Sequence, residues 1–129
     1  MAPGRGVEMA LTILVQHSNR ELREHAAAVL EAAGMAVRQA SDGTQGLAAL
    51  ETAPVDVILT GINMPQLDGF GFIEAVRGRD RLRAIPILVM AVSATPELKT
   101  RARNAGAAGW LPHPLDPARL VETVRIVTA

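Results

Sequence analysis

The chain has 129 residues, 49% hydrophobic and 20% charged, with 13 Lys+Arg against 13 Asp+Glu. That length and apolar content fit one globular domain with its own core and exclude an intrinsically disordered chain. Balanced charge argues against general nucleic-acid binding, which needs a basic surface, and the lack of cysteine excludes disulfides and thiolate chemistry.

Residues 1–10 (MAPGRGVEMA) lack the long apolar core of a signal peptide. They read as a flexible leader, or as vector or upstream sequence before a natural start at Met9. Residues 11–129 read as the domain. No apolar run approaches the roughly 18 residues that span a bilayer, and a cytoplasmic setting is expected.

Leu11 to Gln16 is a short apolar run rich in branched side chains, fit for a buried strand. Leu22, Ala26, Val29, Leu30 and Ala33 then fall at helical spacing. Ser18 with Glu21 reads as a capping box, and Gly34 as the stop. Met35 to Ala40 reads as a second strand. "SDG" is a turn, and Leu47 and Leu50 mark a helix over residues 44–52.

Pro54 breaks the chain, and Val55 to Thr60 is a third strand. Asp68 and Gly69 suit a turn or helix cap, and Phe72, Ile73 and Val76 give the third helix. "RGRDRLR" (Arg77 to Arg83) reads as a polar loop. Ile85 to Val92 is the fourth strand, and Pro96 opens a helix that runs to Ala105. Gly109 to Leu111 is a short fifth strand. Asp116 caps the last helix, with Pro117 at its first position and Leu120, Val121 and Val124 inward.

Five βα repeats with buried-type strands imply a parallel sheet covered by helices on both faces. Ligands in such sheets sit outside the carboxyl ends of the strands. Here those ends are His17-Ser18, Gly61, Ala91-Val92 and Pro112-His113.

"ILVQHSNRELR", "VDVILTGINMPQLDGFGFIEAVR", "IPILVMAV" and "NAGAAGWLPHPLDPARL" resemble the landmarks of response regulator receiver domains, nearest the single-domain chemotaxis type. The resemblance implies a flavodoxin-like (βα)5 sandwich with a five-stranded parallel sheet of order 2-1-3-4-5. It also implies phosphoryl transfer to an aspartate at the end of the third strand, with an acidic pair holding Mg²⁺, a Thr or Ser, and a Lys. The matching positions are Gly61, His17, Ser18, Ala91 and His113, and all five differ from the family pattern.

Mg²⁺ wants oxygen ligands in an octahedral shell. Ser18 and the Asn63 carbonyl, whose position the family also uses, are too little to hold it, so neither Mg²⁺ nor another cofactor is expected. Gly61 has no side chain to accept a phosphoryl group. The chain therefore reads as a non-enzymatic pseudo-receiver that binds a protein partner: kinase, phosphatase, motor, output domain or a second copy. By resemblance, the contact face is the fourth helix, fifth strand and fifth helix.

Other readings stand beside this one. His17 and His113 could serve a small-molecule or metal sensor if a third ligand appeared, but His25 lies mid-helix. Otherwise they fill volume left by acidic side chains. Ser18, Asp68 or a histidine could take phosphate as a non-standard acceptor; Ser18 and Asp68 also read as plain caps. Trp110 matches the family's switch aromatic and rests either partly inward or exposed for contact. Lys99, Arg101 and Arg103 form either a solvated face or a partner-binding patch.

Overall fold

In the computed structural model, which describes residues 10–129, strands and helices alternate. They are β1 (Thr12–Gln16), α1 (Arg20–Ala32), β2 (Ala36–Ala40), α2 (Gly43–Thr52) and β3 (Val57–Thr60). α3 (Gly69–Arg77), β4 (Ile87–Met90), α4 (Pro96–Ala105), β5 (Gly109–Leu111) and α5 (Pro117–Thr128) follow. The expected leader, but for Ala10, lies outside the described residues.

The strands form one parallel sheet of order β2-β1-β3-β4-β5, as the apolar runs and the resemblance implied. Alternate residues feed two cores. Leu14, Ile58, Ile87 and Val89 pack with Phe72, Ile73 and Val76 of α3. Ile13, Val15, Leu59 and Leu88 pack with Leu30 of α1 and Leu120 and Val124 of α5. Strands buried on both faces explain why their sequences do not alternate.

The caps show why the helices begin where they do. Asp42, Asp68, Thr95 and Asp116 each accept a hydrogen bond from a first-turn amide. The cap of α1 is Asn19, not Ser18: Asn19 Oδ1 accepts from Leu22 N at 3.0 Å. Gly34 leaves α1 at φ +89°, and the Met35 amide closes onto the Leu30 carbonyl at 3.1 Å.

β3 and β4 are shorter than the apolar runs. Pro86 has no N–H for the ladder, so β4 starts after it. The expected polar loop is also partly structural. Arg77 is the last residue of α3, and Leu82 is buried in the α3-side core.

Candidate functional site

The carboxyl ends of β1, β3 and β4 meet at a cavity of about 310 Å³. Its polar lining is His17, Ser18, Asn63, Asp68, Ser93 and Arg101, and Ala91 forms part of its wall. A larger groove of about 780 Å³ between α1 and α5 is lined mostly by apolar residues and does not include these side chains.

His17 lies over Gly61. A Cβ built on Gly61 would stand 2.6 Å from His17 Cδ2 and 3.0 Å from Nε2. The imidazole therefore fills the space that a side chain at 61 would need. The Asn19 amide donates to His17 Nδ1 at 3.0 Å, which puts the proton of the neutral ring on Nε2, on the side of the Met90 carbonyl.

Burial lowers the His17 pKa below its usual 6.5, and the nearby Arg23 guanidinium lowers it further. The Met90 carbonyl works the other way, and His113 adds a small lowering. Arg23 is anchored beside the ring, with Nη1 donating to the His17 carbonyl at 2.8 Å. The net direction keeps this imidazole uncharged at neutral pH.

Ser18 Oγ donates to the Asn63 carbonyl at 2.8 Å. The two oxygens that the resemblance sets at metal-binding positions are thus bonded to each other. Beneath them, Gln16 Nε2 donates to Thr60 Oγ1 at 2.8 Å, and Thr60 Oγ1 donates to the Gly61 carbonyl at 2.9 Å. Gly69 closes the turn: its amide donates to the Ile62 carbonyl at 2.8 Å, and any Cβ there would overlap the Gly61 carbonyl oxygen.

Asp68 lines the cavity while its Oδ1 caps α3 by accepting from Gly71 N at 2.9 Å. Arg101 reaches the same cavity from α4. Its guanidinium carbon stands 4.0 Å from the centroid of the buried Phe70 ring. In the sequence Arg101 stands on a basic helix face with nothing in that charge pattern to tie it to the cavity. The available signal was Leu98, one turn earlier on the same face, which also lines the cavity.

His113 is exposed, stands near His17 but not in the cavity wall, and precedes Pro114 through a cis peptide bond. His25 is exposed on α1 and does not join them. Among the described residues, no three His, Cys, Asp or Glu side chains are grouped to hold a metal ion, and no helix is long and apolar enough to cross a membrane.

Lys99, Arg103 and Trp110 line a separate cavity of about 220 Å³ between α4 and β5. Of the two positions left open for Trp110, the structure has the partly inward one. The ring packs half-buried against the α3-side core, and its Nε1 is shielded with no hydrogen-bond partner among the described residues.

Comparison with known proteins agrees with the fold. The family model described as "Response regulator receiver domain" matches residues 13–125. Chemotaxis protein CheY of Pseudomonas aeruginosa is 31% identical over 86 residues, covering 67% of this chain and 69% of that protein. The gliding motility regulatory protein of Myxococcus xanthus is 31% identical over 101 residues, 78% of this chain. The chain spans only 13% of that protein, and 40% of the Synechocystis regulator RpaA. The solved structure of chemotaxis response regulator CheY4 of Vibrio cholerae superposes with a TM-score of 0.86 at 34% identity, covering 92% of this chain and 99% of that one. By family match, relatives and topology together, the chain belongs to the response regulator receiver domains of two-component signalling.

Proposed function

We propose that this receiver domain works without aspartyl phosphorylation, as a cytoplasmic, non-enzymatic module that signals through protein contact. The observation that carries this reading is His17 over Gly61: the acceptor position has no side chain, and a ring occupies the space one would need.

The residues present do not fit Mg²⁺. Its positions hold an imidazole, a hydroxyl and a glycine, and the Ser18 hydroxyl and Asn63 carbonyl already satisfy each other. Asp68 supplies a carboxylate at the cavity, but Oδ1 is used in capping α3. Ala91 has no hydroxyl to draw toward a phosphoryl group, so the link from phosphorylation to a ring at position 110 is also missing. Lys99, Arg103 and Trp110 beside β5 then present a fixed surface to a kinase, phosphatase, motor, output-domain or self partner along α4, β5 and α5.

The test is incubation with a small phosphodonor and Mg²⁺, read by intact mass and Trp110 fluorescence. No adduct and unchanged fluorescence are expected. An acid-labile phosphoryl adduct with a fluorescence change would overturn the reading; an adduct mapped to Ser18 or Asp68 would replace it with non-standard phosphorylation.

A further inference from the structure

The cavity at the carboxyl edge carries a cation that the pseudo-receiver reading does not use. Among the described residues Arg101 makes no ion pair and donates no hydrogen bond to a side chain or carbonyl, although its guanidinium lies over Phe70. That contact holds the guanidinium of this exposed residue over the ring and leaves its N–H donors for a ligand. An edge of this kind matches the two oxygens of a carboxylate or phosphate.

The surroundings suit such a ligand. The Ser93 hydroxyl lines the cavity and makes no hydrogen bond with another described residue. Ser18 and Asn63 line the same space, and their backbone-to-hydroxyl bond holds that wall in place. The His17 imidazole brings no negative charge. Phe70, Leu98 and Val92 supply an apolar wall, and the cavity of about 310 Å³ fits a small molecule. Within this cavity the opposing charge is Asp68, one oxygen of which is engaged with the amide at the start of α3, and Glu74 and Glu97 line the neighbouring groove that Arg101 also borders.

We infer that this cavity binds a small oxyanion, a carboxylate or a phosphate, on the stacked Arg101 guanidinium, with Ser93 as a further donor. The site reverses the usual charge preference of this sheet edge. Where the family pattern has carboxylates that hold a cation, this chain has a cation without those carboxylates. The binding is non-covalent and needs no metal, so it is separable from the phosphodonor experiment above.

The experiment is a two-arm titration of the whole chain with inorganic phosphate and with acetate, at ionic strength held constant by chloride, followed by amide and Arg side-chain NMR shifts. Saturable shifts at Ser18, Asn63, Ser93 and the Arg101 Nε–H are expected in at least one arm. The phosphate arm alone identifies a phosphate-type ligand, and the acetate arm alone a carboxylate.

Arg101→Ala should weaken binding at least ~10-fold, and Arg101→Lys should also weaken it, because the planar fork is lost. Asp68→Asn keeps a good helix cap and removes the opposing charge, so it should tighten binding. Absence of saturable shifts in both arms would overturn the inference. So would shifts indifferent to Arg101→Ala, or weaker binding in Asp68→Asn.

Discussion

His17 occupies the volume that a side chain at position 61 would need, with Cδ2 2.6 Å from where a Cβ on Gly61 would stand. The two residues are complementary: a ring on one strand end faces a glycine on the next. Restoring an acceptor at 61 alone therefore meets the ring. Gly61→Asp should destabilise the fold by about 1–3 kcal/mol, the usual range for inserting atoms into packed space, and should not accept phosphate. In a His17→Ala background the same change should cost clearly less, because the two sites share one space. Urea unfolding of the four proteins in this cycle measures the coupling. Equal cost of Gly61→Asp in both backgrounds would mean that the ring moves aside freely.

The same ring gives stability a pH dependence of definite sign. The folded-state pKa of His17 lies below the unfolded 6.5, through burial first and Arg23 second. The unfolded chain then binds a proton that the folded chain resists. Stability is fully present above pH 6.5 and is lost as pH falls from there through the folded-state pKa. The urea midpoint of the wild type should fall between ~pH 7.5 and ~pH 5, the window of histidine titration. His17→Asn should flatten that slope, while His25 and His113 remain in both proteins as internal controls. An unchanged slope in the variant would place the titrating group elsewhere.

How much of this was legible in the chain depends on the range of each interaction. The three central strands β1, β3 and β4 were readable because they are buried on both faces, so Ile13 to Val15 or Ile87 to Val89 form unbroken apolar runs. Asp42, Asp68, Thr95 and Asp116 act within their own first turns, where local sequence is informative. The start of α1 was misplaced by one residue because Ser18 and Asn19 are both good caps, and only tertiary context decides. Ser18 is held by the Asn63 carbonyl, 45 residues away, which leaves Asn19 to cap. The positions of His17, Ser18, Gly61, Ala91 and His113 at one sheet edge followed from strand ends, and that of Asn63 from the family resemblance. The contact of His17 with Gly61 and the stacking of Arg101 on Phe70 did not, because no local periodicity encodes a pairing between distant elements.

Beneath the cavity, Gln16 and Thr60 form a buried polar pair between adjacent strands, and Gln16 Oε1 has no partner among the described residues. Thr60→Val removes the acceptor of the Gln16 amide and the donor to the Gly61 carbonyl. The cost should be about 1–3 kcal/mol, that of leaving buried polar groups unpaired. Thr60→Ser keeps both bonds and should cost less than ~1 kcal/mol, the value of one buried methyl. Adding Gln16→Leu to Thr60→Val should recover part of the loss, since replacing both partners avoids the orphaned amide. Thermal or urea unfolding distinguishes these cases, and a Thr60→Val protein as stable as wild type would show that the pair contributes nothing.

Arg77 should be the most stability-sensitive of the arginines, although the sequence places it in an apparently polar run. Its Nε and Nη2 donate to the Gly106 carbonyl at 3.1 and 2.8 Å, and its Nη1 donates to the carbonyls of Arg83 and Ile85, each at 2.8 Å. One half-buried guanidinium thereby ties the end of α3 to the turn after α4 and to the approach to β4. Gly106 makes this possible: it has φ +121°, and a Cβ there would stand 2.8 Å from Arg77 Cγ and Nε. Arg77→Met keeps most of the apolar stem and removes every donor, so a loss of about 3 kcal/mol is expected, the upper value for hydrogen bonds to a charged group. Arg101→Met, whose guanidinium lacks such bonds, should lose only about 0.5–1 kcal/mol, the worth of an exposed cation–π contact. Comparable losses in the two variants would mean that the carbonyl bonds of Arg77 are replaced by water at little cost.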